Sequence, residues 1–505
     1  MSFKTLKTEM PQRSTISSNP PAPRLLPKVG RQFAKPDFLT ARTVVGVLVV
    51  ASAWILTSGF SPEAQATLTV FVAAIWLWVF GSLNDTYVAL GAASALVLAN
   101  VLSAEEFFAA LGDDTTWLLI GAFILSAAVT QSGLALRATA WLSHRVSTAR
   151  GLVHLMAFAV TLTAFAVPAT SGRAALVLPV LVALRGVLPA PQQWLVKVLA
   201  LVLPTVVLFT AAASLIGAGA HLITVQILST NELPEISFTR WIVLGLPYAL
   251  VMAHVSAEVV LRMFSTSAQR AEGIVLKSTD FGETVTGSLT TAQKRSMAVL
   301  GAAVALWFSE PLHGIDPALV AVLAALLMCS PQVGCVDFKD TIRQVPWNLL
   351  LFMAATIAMS QALLSSGAAD VLASAILGAA HPMLFVALVI LVSSAAHLVI
   401  QSRSARSAVL IPLVVATAPA IGVNPVAAAF ISTVAAGFCH TLPSSAKPLA
   451  IFASAETGAK PSDEPAAFST RELMRVAAAL FPVHLIVMGL FAWLIWPALG
   501  LNLYL

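Results

Sequence analysis

The chain has 505 residues, of which 58% are hydrophobic and 10% are charged, and its formal net charge is +5. Soluble proteins carry about 25% charged residues, so this composition excludes an ordinary soluble enzyme, and the small positive charge does not indicate a nucleic-acid partner. Several apolar stretches approach the roughly 20 residues that cross a bilayer as a helix, which predicts an all-α polytopic membrane protein. The three cysteines, Cys329, Cys335 and Cys439, form neither a disulfide framework nor a metal-type cluster, and we expect no metal or other cofactor beyond a coupling ion.

The first 42 residues are polar, basic and proline-rich. They do not resemble a cleaved signal peptide, because the basic run is too long and no small-residue cleavage site follows the apolar segment 44–58. We expect a cytoplasmic tail over residues 1–42 and one extra N-terminal transmembrane helix within residues 43–64.

Apolar runs between polar breaks predict two groups of segments, residues 65–262 and 296–505, joined by a cytoplasmic linker at 263–295. Each group contains five crossings and one split pair. The first group has runs at 65–82, 86–103, 117–142, 152–168 with 174–187, 195–228 and 240–262. The second has runs at 296–309, 316–330, 347–377, 382–400 with 405–418, 424–454 and 475–500.

The charges of the loops orient these segments. If the tail is cytoplasmic, the loops on its side are basic: Arg137, Arg145, Arg150, Arg185, Lys197, Arg262, Arg270, Lys277, Lys294, Arg295, Lys339 and Arg343. The opposite loops are acidic: Glu105, Glu106, Asp113, Asp114, Glu232, Glu235, Glu310 and Asp316. This positive-inside pattern predicts a bacterial inner-membrane protein with a cytoplasmic N-terminus.

Each split pair is interrupted by small and polar residues, at 168–173 and at 401–406. Two full crossings would leave the loop charges on the same sides, so charge does not distinguish crossings from hairpins. The arms are about 14–19 residues long, at the short end of the spanning range, and a turn in water would not need these residues. We therefore expect two re-entrant hairpins with buried polar tips.

The two groups of segments repeat one another, because residues 171–184 align with residues 404–417. Five crossings is an odd number, so the second copy is expected to be inverted relative to the first. Inverted repeats with discontinuous helices form midplane binding sites in many secondary transporters. Matched positions are Arg173 with Arg406, Pro179 with Pro412, Ser132-Gly133 with Ser366-Gly367, and the break at 214–217 with the break at 442–445.

The chain resembles the divalent anion/sodium symporter family in three features. They are this order of segments, the Ser-Leu-Ile-Gly break at 214–217, and the hairpin exits that end at Pro179 and Pro412. The resemblance runs from about residue 65 to the end. It implies eleven transmembrane helices, two hairpins and a homodimer whose protomers each have a scaffold part and a transport part that moves as an elevator. It also implies a small anionic substrate bound between the hairpin tips and the broken helices.

The chain departs from this family at the hairpin tips. Each family tip carries Ser-Asn-Thr, which helps to hold a sodium ion and the substrate carboxylate, whereas residues 169–171 read Ala-Thr-Ser and residues 402–404 read Ser-Arg-Ser. The usual prolines and asparagine after the first break are missing, and residues 446–448 read Ala-Lys-Pro where Thr-Pro-Pro is usual. Sodium and a proton are therefore both candidate coupling ions.

Four cations, Arg173, Arg403, Arg406 and Lys447, fall at the predicted tips and breaks. A central arginine or lysine costs about 2.5–3.5 kcal/mol on insertion scales, so these side chains should face a wet cavity or an anionic ligand. Helix starts and arginine forks both suit carboxylate, sulfonate or phosphate oxygens. The predicted substrate-binding residues are Thr170, Ser171, Gly172, Arg173, Gly217, Ala218, Ser402, Arg403, Ser404, Arg406, Ser444, Ser445 and Lys447.

We expect that Arg173 and Arg406 replace the two sodium ions, which would make transport proton-coupled, an exchange or passive. The alternative is that both arginines clamp backbone carbonyls, and Lys447 has the alternative of extending to a nearby interface. His221 is either a packed polar residue or the proton-coupling group, since histidine titrates near neutral pH. His397 and His440 are interpreted as structural.

The sequence favours an anion transporter over three other functions. A membrane-embedded enzyme would need clustered acids or a nucleophile with a base, which these spans lack, and a scaffold or receptor would leave the repeat unexplained. A cation/proton antiporter or arsenite-type exporter of the same superfamily should carry carboxylates at the broken helices. We expect a secondary active transporter of a di- or tricarboxylate, sulfate or sulfonate.

Overall fold

The computed structural model describes residues 41–81, 83–134, 137, 146–274, 288–332, 334–368, 371, 381–453 and 468–505. In these residues the secondary structure is helical, with two isolated β-bridges. The chain divides into a short unit, residues 1–45, and one large unit, residues 46–505. Most of the predicted tail, the middle of the predicted linker and the C-terminal ends of the predicted spans 117–142 and 347–377 lie outside the described residues.

The first half of the chain forms eleven helices in the described residues. Side-chain oxygens of Ser61, Asn84 and Asp113 accept backbone N–H groups of the first turns of α2, α3 and α5 and fix where these helices begin. The helices are α1 (Ala41–Leu56), α2 (Pro62–Phe80), α3 (Asp85–Leu98), α4 (Ala104–Ala109), α5 (Asp114–Gln131), α6 (Ala149–Leu162), α7 (Thr170–Val187), α8 (Trp194–Phe209), α9 (Gly219–Thr230), α10 (Phe238–Phe264) and α11 (Ser267–Ala271).

The second half, again in the described residues, forms another eleven helices. Asp316 and Asn424 cap α14 and α19, and a π-helical turn at Phe491–Ile495 separates α21 from α22. The helices are α12 (Thr291–Phe308), α13 (Glu310–His313), α14 (Pro317–Cys329), α15 (Phe338–Ile342), α16 (Trp347–Ser365), α17 (Pro382–Ala395), α18 (Arg403–Thr417), α19 (Pro425–Ala435), α20 (Lys447–Ala453), α21 (Thr470–Leu490) and α22 (Trp496–Ala498).

Seven helical segments of the described chain are long and apolar enough to cross a membrane, and six shorter apolar helices accompany them. This agrees with the predicted all-α polytopic membrane protein. The predicted arrangement of eleven crossings and two hairpins stays a prediction, because Thr170–Val187, expected as a hairpin arm, is itself one of the seven. The others are Pro62–Phe80, Ala104–Gln131, Ala190–Ala213, Phe238–Phe264, Trp347–Ser365 and Thr470–Ala498.

Both predicted breaks have the same backbone conformation. Ser214 is extended, with φ −138° and ψ 147°, and Leu442 is extended, with φ −132° and ψ 152°. Each is followed by a single 3₁₀ turn and by a second extended residue, Ala218 or Ala446. A new helix starts directly afterwards, α9 in the first half and α20 in the second, so each broken helix is interrupted in the same way.

Equivalent helices also exchange partners between the two halves. Helix α5 packs on α14 and α16 packs on α3, while α9 packs on α18 and α20 packs on α7. Reciprocal contacts of this kind are expected where two similar units are related by a two-fold axis. The left-handed glycines that follow α5 and α16, Gly133 (φ 69°) and Gly367 (φ 73°), also match.

The core is centred on α8, which is buried along almost its whole length and packs against α6, α7, α10 and α20. Glycines let neighbouring backbones approach closely. A Cβ on Gly245 of α10 would lie 1.9 Å from the Ala212 carbonyl oxygen, and one on Gly121 of α5 would lie 2.6 Å from the Ala321 carbonyl carbon. The Gly245 contact therefore places the residues after α8 directly against α10, and the Gly121 contact does the same for α5 and α14.

Candidate functional site

Three helices, α7, α9 and α18, and the short helix α20 all begin at one cavity of about 350 Å³. The N-cap residues of α7 and α9, Ala169 and Ala218, are extended and have no side chain that caps the helix. The N–H groups of Thr170, Ser171, Gly219 and Ala220 therefore have no capping side chain, while the His221 N–H donates to the Ala218 carbonyl at 3.0 Å. Ser402 caps α18 by accepting the backbone N–H of Ala405.

Ten of the thirteen predicted substrate-binding residues line this cavity, although they come from four separate parts of the chain. They are Thr170, Ser171, Ala218, Ser402, Arg403, Ser404, Arg406, Ser444, Ser445 and Lys447. The structure thus brings the two predicted tips and the two predicted breaks together.

Gly172, Arg173 and Gly217 are not among the lining residues. A Cβ on Gly217 would lie 2.1 Å from the Ala211 carbonyl oxygen, and one on Gly172 would lie 3.0 Å from the Val167 Cγ1 atom. Both glycines therefore shape the backbone around the cavity instead of lining it.

Arg173 is fully buried and its guanidinium is satisfied by the protein itself. Nε donates to Thr163 Oγ1 at 2.9 Å, Nη1 donates to the Val207 carbonyl at 3.0 Å, and Nη2 donates to the Val160 carbonyl at 2.8 Å and to Thr210 Oγ1 at 2.7 Å. These four bonds tie the end of α6 to the end of α8. Arg173 thus has the alternative role described above for both arginines, in which the guanidinium clamps backbone carbonyls.

Arg406, the repeat equivalent of Arg173, is also fully buried but has few partners. Its Nη1 donates to the Phe438 carbonyl at 3.5 Å, at the edge of hydrogen-bond distance, and its Nε and Nη2 have no partner among the described residues. A buried charge that has lost its partner lowers the stability of a protein by about 3–5 kcal/mol. The two symmetry-related arginines are therefore in different situations.

Arg403 resembles Arg406 in this respect. Its Nη2 donates to His221 Nε2 at 3.1 Å and to the Thr433 carbonyl at 3.3 Å, whereas its Nε and Nη1 have no partner among the described residues. His221 is not a lining residue, and its Nδ1 lies 3.1 Å from the Ser214 carbonyl while its ring stacks on Trp241. Both ring nitrogens of His221 are thus engaged, one by the first break and one by Arg403.

In the second half, neutral groups make the contacts that correspond to those of Arg173. His397 Nε2 lies 3.1 Å from Thr441 Oγ1, and Ser393 Oγ lies 2.8 Å from Ser432 Oγ. Together these contacts join the end of α17 to α19 and to the residues after it, which is the connection that Arg173 makes in the first half. Arg406 is therefore not needed for this connection.

The sequence reasoning missed several lining residues, among them Asp85, Leu349, Gln401 and Cys439. Asp85 is the one carboxylate among the described lining residues. It lies in the first turn of α3, one residue before the predicted span 86–103. Cys439 is buried beside Arg403 and Arg406, and it is not part of a recognisable sequence motif. Lys447 is exposed to the cavity and makes no ion pair with a described residue. The described lining thus has three cations and one carboxylate.

Hydroxyl groups, uncapped helix starts and partly unpartnered guanidinium groups converge on this cavity, and the described residues hold no cluster of metal ligands. Apolar helices that are interrupted at a polar cavity in both halves of the chain are typical of secondary membrane transporters.

The model of the sodium:sulfate symporter transmembrane region matches residues 38–501, and the chain belongs to this family. The resemblance inferred from the hairpin and break motifs is therefore confirmed. A symporter family consists of membrane transporters, so the chain is a transport protein and not an enzyme, as predicted.

Relatives match most of the chain at low identity. A membrane protein of Cupriavidus necator is 24% identical over 484 residues, which cover 92% of this chain and 90% of the relative. The sodium-dependent dicarboxylate transporter SdcS of Staphylococcus saprophyticus is 22% identical over 428 residues, which cover 78% of this chain and 81% of the relative. The crystal structure of the YdaH transporter of Alcanivorax borkumensis superimposes with a TM-score of 0.51 at 16% identity over 80% of this chain and 91% of that one, which shows similarity of fold.

Proposed function

We propose that the chain is a secondary active transporter of a small dianion and that the cavity at the four helix starts is its substrate site. The observation that carries this proposal is the set of partly unpartnered guanidinium groups of Arg403 and Arg406, which line a cavity where α7 and α9 begin without capping side chains. An anion there would supply the hydrogen-bond acceptors and the negative charge that the described lining lacks. A cavity of about 350 Å³ lies within the usual range for small ligands.

The number of charges favours a substrate with two negative charges. Arg403, Arg406 and Lys447 outnumber the single carboxylate Asp85 in the described lining by two. Dicarboxylates and sulfate both have two charges, and a dicarboxylate is the substrate that the name of the Staphylococcus relative gives for that protein. A dicarboxylate such as succinate is therefore the first substrate to test, before sulfate, tricarboxylates and sulfonates.

Within this site the proposed roles differ between residues. Arg406 and Arg403 bind the anion directly, Lys447 adds a more exposed charge, and Thr170, Ser171, Ser402, Ser404, Ser444 and Ser445 offer hydroxyl groups. Arg173 holds α6 against α8, and His221 holds Arg403 in place instead of carrying a proton. Of the two arginines expected to replace sodium ions, only Arg406 is free to do so.

We further propose the predicted arrangement of the chain: the tail 1–42, an extra helix within 43–64, inverted repeats at 65–262 and 296–505, and the linker 263–295. The reciprocal packing of the two halves supports a two-fold relation, and the basic loops support a cytoplasmic N-terminus in a bacterial inner membrane. A homodimer and an elevator movement of hairpins and broken helices are carried over from the family resemblance. The coupling ion is sodium or a proton.

The test is binding and uptake by the purified full chain. Succinate should raise its melting temperature and should accumulate in proteoliposomes made from it, and Arg406→Met should strongly reduce both effects. Sulfate, citrate and a sulfonate are compared in the same assay, and uptake is repeated with sodium replaced by choline. Absence of stabilisation by every anion, or stabilisation by succinate that is unchanged in Arg406→Met, would refute the proposed site.

A further inference from the structure

A line of hydrogen bonds runs from the cavity to a buried histidine. Ser445, which lines the cavity, has its Oγ 3.2 Å from Thr441 Oγ1, and Thr441 Oγ1 lies 3.1 Å from His397 Nε2. His397 Nδ1 lies 2.7 Å from the Ser394 carbonyl oxygen. Ser445 and His397 are only 4% and 3% exposed, so this line is enclosed by protein on the side away from the cavity.

The partners fix the direction of these bonds. A carbonyl oxygen can only accept, so His397 carries a hydrogen on Nδ1, and its Nε2 accepts the Thr441 hydroxyl hydrogen when the ring is neutral. Thr441 Oγ1 then accepts from the Ser445 hydroxyl, whose own oxygen accepts the Leu442 backbone N–H at 3.1 Å. In the neutral state every hydroxyl hydrogen therefore points away from the cavity, towards His397.

We propose that His397 is the proton-binding site of this transporter and that Thr441 and Ser445 connect it to the substrate cavity. A proton from the cavity binds Ser445 Oγ, Ser445 passes its hydroxyl proton to Thr441 Oγ1, and Thr441 passes its own to His397 Nε2. The net change is one proton added to His397, with both hydroxyl groups restored. The line ends there, because the Ser394 carbonyl cannot pass a proton onward.

Protonation also changes what the cavity offers to an anion. With Nε2 protonated, His397 donates to Thr441, Thr441 donates to Ser445, and the Ser445 hydroxyl hydrogen turns towards the cavity. An anion bound at Arg406 would accept this additional hydrogen bond. Proton binding and anion binding would therefore strengthen each other, which is the reciprocity that co-transport requires.

The charged and titratable groups around His397 favour the same coupling. Arg406 on α18 repels a second positive charge on His397, and an anion at Arg406 reduces that repulsion. His440, on the segment before the second break, has no partner for its Nε2 among the described residues, whereas His484 on α21 is held by the hydroxyls of Ser394 and Tyr248. None of these described neighbours is a carboxylate, so the negative charge that stabilises a protonated His397 comes from the substrate.

This inference rests on the proposed function, and its test separates the two. Full-length protein is reconstituted into sodium-free liposomes containing a pH-sensitive dye, and an inward gradient of labelled succinate is applied at pH 7.5. Wild type should take up succinate and acidify the lumen at a fixed proton-to-succinate ratio. His397→Gln should lose the proton flux while it still exchanges internal for external succinate. Thr441→Val, which removes the hydroxyl but keeps the side-chain shape, should do the same.

His440→Gln is the matched control, because this histidine is equally buried but lies outside the line from Ser445 to His397. It should retain the wild-type proton-to-succinate ratio. Succinate uptake by wild type without proton movement would overturn this inference and leave the proposed function intact. A wild-type proton-to-succinate ratio in both His397→Gln and Thr441→Val would have the same meaning. Failure of wild type to bind or move any dianion would overturn both proposals.

Discussion

The sharpest prediction concerns the two symmetry-related arginines, Arg173 and Arg406, each changed to methionine. Methionine keeps a long apolar side chain and removes only the guanidinium. The structure predicts opposite consequences, because one guanidinium has four good hydrogen bonds and the other has a single bond of 3.5 Å.

For Arg173→Met the loss is in stability. Four hydrogen bonds from a charged donor are worth roughly 1.5 kcal/mol each, about 6 kcal/mol in total, and part of this is recovered because a buried charge disappears. We expect a net loss of about 3 kcal/mol in the free energy of unfolding, seen as a clear fall in melting temperature. Succinate affinity of the remaining folded protein should change little, since Arg173 does not line the cavity.

For Arg406→Met the loss is in binding. Removing a poorly partnered buried charge should leave the melting temperature of the ligand-free protein unchanged or higher. Removing one partner of a buried charge pair typically costs about 2–5 kcal/mol, which corresponds to a roughly 30-fold or larger rise in the Kd for succinate. Tryptophan-fluorescence melting and calorimetric titration measure the two quantities on the same samples. Equal destabilisation by both substitutions, or loss of binding only in Arg173→Met, would refute this assignment.

Three further predictions concern other parts of the chain. Gly217→Ala should abolish succinate binding, because its Cβ would lie 2.1 Å from a backbone carbonyl oxygen, whereas Gly91→Ala, with open space around it, should bind as wild type does. Burial and the neighbouring Asp316 raise the pKa of Glu310 above its ordinary value, so the folded protein favours the protonated carboxyl. The stability from this group is present below the ordinary pKa and is lost as the pH rises through the raised pKa, and Glu310→Gln should show a smaller fall in melting temperature over that rise. Cys439 should react with a negatively charged thiol reagent, and saturating succinate should slow this reaction; labelling at the same rate with succinate present would count against its place in the site.

Much of the fold follows from the sequence because a membrane restricts the choices. Apolar runs give the helices, and the Ser-Leu-Ile-Gly break and the residues around Pro443 mark where helices are interrupted, so most observed helix starts and ends lie within a few residues of the predicted ones. Helix length is less informative. Residues 170–187 form one continuous 18-residue helix, and length alone does not distinguish a hairpin arm from a crossing.

The sequence indicated which distant segments would meet at the cavity, but not how the contacts of the two aligned arginines would differ. Charge at the tips and breaks pointed to ten residues that do line the cavity, because helix starts bring distant segments to one place. The difference between Arg173 and Arg406 has no signal in the aligned segments, since it depends on Thr163 and Thr210, which lie outside them. Asp85 was missed because it falls at a helix start, one residue before the predicted span 86–103.

This difference would explain how two similar halves form one asymmetric binding site, as proposed above. In the first half, the charged side chain of Arg173 ties the end of α6 to the end of α8, and its guanidinium donates to carbonyl and hydroxyl oxygens. In the second half, His397 and Thr441 make the equivalent tie without a permanent charge, so the guanidinium of Arg406 is left for a ligand. His397, which makes this contact in place of an arginine, is itself titratable, and hydrogen bonds through Thr441 and Ser445 connect it to the cavity. The substitution that frees a cation for the substrate therefore also places a proton acceptor beside it, and both properties would arise from the same divergence between the two halves.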